Sequence, residues 1–313
     1  MSPLAASPVL AHRRGFSAPA FTDAGRWLAG RPVEEAARLI PRVFNLCAAA
    51  HGAASAQALH LPAPDAEASI RQETLRDHAL ALFHQAPEAL GLPGERDALG
   101  LLANPDGGAE LARRVSGDVD LAGLSLSDFD LWLARGETLP ARLLRRVRHH
   151  IDPAWGRVGL PPLTLSDLDA AVADAPRDLP ARDATVLTRV RQAPLLVALL
   201  AAEGGSLLAR LLARVLDLLA VLKGGPASCG RTAAGNGFAA AARGLLAHGA
   251  RVEAGRIAFY RIVPPSAWTL APGGLLERML AALPSRAETP MLGRLALLAV
   301  NPCVPVKLEG LGG

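Results

Sequence analysis

The sequence predicts a mainly helical fold with a small β component, and three observations lead to it. Half of the 313 residues are hydrophobic but only 4% are aromatic, so the core has to be built from Leu, Ala and Val. Apolar runs with helix-start signals recur along most of the chain, and only Arg256 to Val263 alternates as a strand does. The 30 Gly and 25 Pro place breaks between many short elements. A mean hydropathy of +0.24 with 20% charged residues excludes wholesale disorder. No stretch reads as a linker, so residues 1–313 are taken as a single domain.

Pro32, followed by Glu34 and Glu35, opens a helix expected to run to Ile40, with Pro41 as its break. Arg42 to Leu59 then reads as a second, Ala-rich helical segment ended by Leu61-Pro62-Ala63-Pro64. Ala66 to Gln85 is a third helix with Glu73, Asp77, Leu80 and His84 on one side. There Asp77 and His84, seven residues apart, suggest a surface ion pair, or an acid/base pair. Leu124 to Asp130 and Leu163 to Asp169 echo each other, with Ser127 and Ser166 as expected helix caps. Asp152-Pro153, Pro161-Pro162 and Pro176 to Pro180 mark exposed connections. Pro194 to Ala202 and Ser206 to Lys223 are buried-type helices divided by Gly204-Gly205, and Leu275 to Leu283 and Leu292 to Val300 return to helix.

Charge narrows the function classes only modestly. The 33 Lys+Arg against 29 Asp+Glu leave +4 over the whole chain, without the interleaved aromatics of a nucleic-acid surface. The densest basic cluster, Arg142 to His150, reads as a solvated helix face, with an anionic partner surface as the alternative. Arg210, Arg214 and Asp217 interrupt the most apolar stretch and argue against a membrane span. Arg13-Arg14-Gly15-Phe16 has a faint twin-arginine look, but no apolar signal core follows. Three widely separated cysteines, Cys47, Cys229 and Cys303, suggest free thiols in a reducing compartment, so a cytoplasmic protein is expected.

Gly225 to Thr232 has the spacing of a phosphate-binding loop. Arg231 stands where Lys is needed, however, and a Leu-rich helix precedes it where a strand is needed, so a plain glycine turn is expected. Cys47 and His51 stand at i, i+4 and, on a helix, could meet one metal; alone the signal is weak, since a buried Cys among alanines is usually a packing residue. Asn301-Pro302-Cys303 puts another thiol just after an apolar helix, and spacing alone does not bring it to Cys47. Cys229 could be a third ligand, a reactive thiol or filling, and filling is the expectation.

Three blocks carry a family resemblance. Arg243-Gly244-Leu245-Leu246-Ala247-His248, then Gly255, Ile257 and Tyr260, then Pro265-Ser266-Ala267-Trp268 with Pro272, follow the pattern R-G-x-L-x-H, G-x-I-x-x-Y, P-[ST]-x-W. Arg42, Cys47 and His51 match R-x-C-G-x-C-x-x-x-H, with Ser55 in phase, and Pro302 and Cys303 match part of D-P-C-x-x-C. These resemble the large subunits of nickel–iron hydrogenases and, more closely, the large-subunit-like maturation proteins of the HupK/HoxV type. The resemblance implies a hydrogenase large-subunit-like fold with a shortened helical bundle core. It is strong at both ends and poor from about 90 to 224.

The departures carry the functional reading. The resemblance implies four metal-binding thiolates, but Phe44 and Val306 occupy two of the four positions. Ala240 to Ala242 replace the Glu-x-Pro before the Arg-Gly, Asn301 replaces Asp, and no proton-transfer glutamate precedes Cys47. Lys307 to Gly313 lacks the terminal His and cleavable extension of active subunits. The resemblance therefore implies a non-catalytic scaffold that holds no nickel but carries iron, transiently, as an Fe(CN)2(CO) fragment. Cys47 and Cys303 would be its metal ligands, Arg243 would lie by a cyanide, and His51 would sit behind a ligating sulfur. Implied partners are a HypC-type chaperone, a HypD-type maturation protein and the hydrogenase large-subunit precursor, with no nucleic acid and no membrane span. A degenerate redox subunit and a metal-free interaction protein of the same fold are the alternatives.

Overall fold

The structure, a computed structural model, describes residues 10–13, 15–19, 24–104, 106–174, 179–225 and 228–310. Arg14, Pro176 and residues 311–313, which enter the twin-arginine, proline-rich and chain-end readings above, lie outside these residues.

Helices dominate. The first three are α1 (Val33–Val43), α2 (Ala48–Ala58) and α3 (Ala66–Leu80), and α4 (Gly107–Ser116), α5 (Leu126–Arg135), α6 (Leu139–His150) and α7 (Leu165–Ala173) follow. After them come α8 (Pro194–Glu203), α9 (Leu207–Leu222), α10 (Leu275–Ala281) and α11 (Thr289–Val300). Two antiparallel sheets complete the fold. One orders β3 (Cys229–Arg231), β4 (Gly237–Ala241), β5 (Gly244–Glu253) and β6 (Arg256–Val263) consecutively, and the other orders β1 (Leu10–Arg13), β2 (Phe16–Pro19) and β7 (Lys307–Leu308).

Helix α9 is the axle of the main core. Ser206 caps it by accepting from the Ala209 N–H at 3.1 Å, and every residue from Leu207 to Leu218 is buried, which is why its pattern is apolar all round. Its charged residues are paired inside the protein. Arg210 bonds Asp183 at 2.8 Å, and Asp217 takes His78 at 2.6 Å and Arg189 at 2.7 Å. No helix of the described residues is long and apolar enough to cross a membrane.

Several local expectations are corrected. Pro41 lies inside α1, because Val33, Ala36 and Ile40 bury one face of that helix and outweigh a single lost backbone bond; the break falls at residues 44–46 instead. The two echoed caps are Ser125 and Thr164, not Ser127 and Ser166. Their hydroxyls accept from the Asp128 and Asp167 N–H groups three residues on, so the pairing with N3 sets the register.

Strands β3 to β5 escape the alternation test because β4 ends in three consecutive Ala and packs directly on α2. A Cβ at Gly237 would stand 2.0 Å from the Ala54 carbonyl oxygen, so the interface admits only small residues. Of the Gly225–Thr232 motif, Pro226 and Ala227 lie outside the described residues; the described part leads into β3, and among the described residues no helix follows it as a phosphate-binding loop needs. On α6, Arg148 bonds Asp130 at 3.1 Å and Arg142 bonds Glu95 at 3.0 Å, the ion pairs of a solvated face.

Candidate functional site

The turn between α1 and α2 presents Cys47 as the residue preceding α2, with φ −137° and ψ 45°. The helix there has no cap of its own. Glu73, reaching across from α3, accepts the Ala49 N–H at 2.8 Å and the Ala50 N–H at 3.4 Å. Cys47 is therefore non-helical, and the reading that Cys47 and His51 share a helix face to meet one metal is corrected. His51 commits Nδ1 to His248 and stacks its ring on Phe44, with centroids 4.2 Å apart. Among the described residues no cluster of three or more His, Cys, Asp or Glu side chains is arranged to hold a metal ion.

Arg243 follows the last residues of β4 and reaches the Cys47 turn. Its Nη1 donates to Cys47 Sγ at 3.3 Å and to the Leu46 carbonyl at 3.0 Å, and Nη2 bonds Asp77 Oδ1 at 2.6 Å. Its Nε is buried and has no hydrogen-bond partner. Burial works against the charge on this guanidinium, but Asp77 and the neighbouring sulfurs of Cys47 and Cys303 outweigh it and raise its pKa. Asp77 also accepts from Asn301 Nδ2 at 2.8 Å, which ties the segment leading to Cys303 to the same carboxylate.

The Asp77–His84 pairing is thereby corrected. A π turn over Ala81–Gln85 winds wider than an α-helix and carries His84 roughly a quarter turn off the Asp77 face. Asp77 points to the inside of the molecule.

Cys303 is held by its backbone, whose N–H donates to Ser266 Oγ at 2.7 Å. It lies close enough to Cys47 and Arg243 to be an electrostatic neighbour of both. Burial pushes the Cys47 thiol up to about 12, against the pull of Arg243 and with a further push from Glu73 and Cys303, so it is a protonated thiol at neutral pH. Cys229 lies on the edge strand β3, packed with Ala49 and Ala66 beside the small cluster that contains Cys47; burial and Glu67 raise its pKa.

The remaining motif residues form one buried chain behind Cys47. His51 Nδ1 meets His248 Nε2 at 2.9 Å, His248 Nδ1 meets Tyr260 Oη at 2.8 Å, and the Tyr260 hydroxyl donates to Ser55 Oγ at 2.8 Å. With Tyr260 donating to Ser55, His248 donates through Nδ1 and His51 through Nδ1, which leaves His51 Nε2 as a lone pair. Burial keeps the chain neutral. It lowers the His51 pKa to about 3, lowers His248 as well, and raises Tyr260 despite its bond to Ser55.

Gly244 sits between Arg243 and this chain with φ +122°, and a Cβ there would stand 1.7 Å from the Ala184 carbonyl oxygen. Gly244→Ala is expected to cost about 3 kcal/mol through backbone strain and overpacking, read as a lowered denaturant midpoint.

A cleft of about 680 Å³ opens on the site, walled by Leu46, Arg243, Leu298, Asn301, Pro302 and Val306. Two of the exposed large apolar residues, Val43 (42%) and Leu46 (48%), belong to the end of α1 and the turn before Cys47.

Residues 174–288 match the family model described as nickel-dependent hydrogenase. The structure is similar to the nickel–iron–selenium hydrogenase of D. vulgaris Hildenborough, with a TM-score of 0.57, 15% identity and 94% of each chain covered. The fold is that of a hydrogenase large subunit. The chain is 36% identical to the hydrogenase expression/formation protein HupK of Rhodobacter capsulatus, covering 91% of this chain and 88% of that one. Its identity to HupK of Azotobacter vinelandii is 30%, over 91% and 90%. It belongs to the HupK family of hydrogenase expression/formation proteins.

Sequence reasoning did not find Asp77 as the partner of Arg243, nor Ser266 as the anchor of Cys303. Ser266 lies inside the P-[ST]-x-W block, so a signal for it was present; Asp77 lies outside every block and is placed only by tertiary packing.

Proposed function

We propose that this chain is a non-catalytic scaffold in nickel–iron hydrogenase maturation, acting in the cytoplasm and binding no nickel. It would take an Fe(CN)2(CO) fragment as cargo on Cys47 and Cys303 and pass it to the large-subunit precursor, with HypC-type and HypD-type proteins as its partners on the donor side. The observation that carries this reading is one guanidinium, Arg243, in contact with Cys47 and in electrostatic reach of Cys303, with a buried N–H still unspent. The residues suit the cargo. Two sulfurs offer soft donors to iron, and the free Arg243 N–H offers a fixed donor to a cyanide nitrogen. Two thiols leave coordination incomplete, which suits a ligand that has to be released. His51, with its Nε2 lone pair fixed by His248, holds the helical turn behind Cys47 in one arrangement.

The test is infrared spectroscopy of the protein purified from cells that make the maturation machinery. Cyanide and carbonyl stretches are expected in the wild type and are expected to vanish in Cys47→Ala and Cys303→Ala. Wild-type protein without these bands, or bands unchanged in both variants, would overturn the reading.

A further inference from the structure

Beside the Arg243–Asp77 pair, two buried nitrogens face one oxygen at a spacing that no direct hydrogen bond spans. His78 on α3 is fully buried, and Arg214 on α9 is 3% exposed. Among the described residues, His78 Nδ1 and Arg214 Nη1 have no hydrogen-bond partner. Asp77 Oδ2 lies 3.8 Å from the first and 3.7 Å from the second. An N–H···O hydrogen bond closes at roughly 2.7–3.2 Å, so both gaps are too long for direct contact and short enough for one bridging atom.

The other ends of these groups are committed. Asp77 Oδ1 takes Arg243 Nη2 at 2.6 Å, Oδ2 takes Asn301 Nδ2 at 2.8 Å, and Arg214 Nη2 donates to the Leu298 carbonyl at 2.7 Å. His78 Nε2 meets Asp217 Oδ2 at 2.6 Å. Asp217 also receives Arg189 through Nε and Nη2, so it is a carboxylate, and His78 donates to it through Nε2. Burial lowers the His78 pKa against the pull of Asp217, which leaves the ring a single proton and makes Nδ1 a lone pair. His78 Nδ1 and Asp77 Oδ2 are therefore two acceptors facing each other in the interior. Such a pair repels unless a molecule with two hydrogens stands between them.

We propose that Asp77, His78 and Arg214 form a binding site for one internal water molecule. It donates one hydrogen to Asp77 Oδ2 and the other to His78 Nδ1, and it accepts from Arg214 Nη1. Those are about three hydrogen bonds, the usual complement of a buried water. The guanidinium repels a cation there, and the carboxylate and the lone pair repel an anion. A small neutral molecule with two donors and an acceptor is the ligand that fits. The water joins the Cys47–Arg243–Asp77–Asn301 network to the His78–Asp217–Arg189 network, so Asp77 is braced from α9 as well as from its own helix. It belongs to the fold and is independent of any cargo.

The experiment is a high-resolution crystal structure of the purified full-length wild type, free of cargo, with nitrogen NMR spectra of histidine-labelled protein at neutral pH. A single peak of water density is expected at about 2.7–3.2 Å from Asp77 Oδ2, His78 Nδ1 and Arg214 Nη1 alike. The spectra are expected to show His78 neutral, with its proton on Nε2 and a hydrogen-bonded lone pair on Nδ1. Direct contact of Arg214 Nη1 or His78 Nδ1 with Asp77, a peak out of reach of any of the three groups, density of an ion, or a His78 protonated on both nitrogens overturns the proposal. Infrared spectra test cargo loading separately, and their outcome does not bear on this water.

Discussion

Asp77→Ala is expected to be among the most damaging single substitutions, lowering stability by about 3–5 kcal/mol. The side chain is 12% exposed and, among the described residues, is the only carboxylate paired with Arg243, which is itself 10% exposed. Removing it takes from Arg243 and Arg214 the carboxylate they share, leaving only the more distant charges of Glu73 and Asp217, and it frees Asn301 from its 2.8 Å bond. The two halves of the site are then no longer tied together, so iron loading should be lost even in the molecules that remain folded. Asp77→Asn separates the contributions: the amide oxygen can still accept from Asn301, but the charge is gone. Urea midpoints for the two variants, with infrared spectra of the folded fraction, measure both effects. A loss below about 1 kcal/mol in Asp77→Ala would show that Arg243 is held by something else.

Acid is expected to destabilise the protein from an unusually high pH. In an unfolded chain His51 and His248 bind protons near pH 6.5, whereas burial holds both neutral in the fold, with His51 down at about 3. The unfolded state therefore takes up more protons throughout that window. Stability is full above about pH 6.5 and falls as the pH drops toward 3. Asp183 and Asp217 add to the loss in the lower part of the range. Burial works against their charged forms, but Arg210 beside Asp183, and Arg189 with His78 beside Asp217, hold both below the usual carboxylate range, and their stabilisation is lost as protons return. Denaturant midpoints at a series of pH values from 7.5 to 4.5 record the slope. His51→Gln combined with His248→Gln should make the slope shallower, leaving the part due to His78, whose pKa burial also lowers. A midpoint flat between pH 7 and pH 5 in the wild type would contradict the buried, neutral pair.

Helix content was legible in the sequence wherever breakers or caps bounded an apolar run. Such runs gave α3, α8, α9 and α10 nearly to their ends. The reading failed where tertiary packing overrides periodicity. Gly237 to Ala241 shows no alternation because α2 lies against it, and the helix through Pro41 persists because one face is buried. The site divided along the same line. Cys47, His51, Arg243 and Cys303 were singled out because the motif spacing of the resemblance names them, and the structure brings Arg243 to Cys47. His248, Tyr260 and Ser55 were visible only as motif letters, and their meaning as one hydrogen-bonded chain needed coordinates. Asp77 was seen but paired with the wrong residue, since nothing in a sequence announces a π turn five residues long.

The small sheet of β1, β2 and β7 has a temporal consequence. Phe16 and Ser17 pair with Leu308 and Lys307, and Ser17 Oγ bonds Glu309 at 2.6 Å, so the strand just past Cys303 is stapled to the earliest described part of the chain. That staple joins residues 292 apart in the sequence, and long-range pairings of this kind form late. While α11 is being translated Cys303 has yet to be made, so on the scaffold reading both sulfurs would be in place only once synthesis has passed β7, and loading would follow translation of that strand.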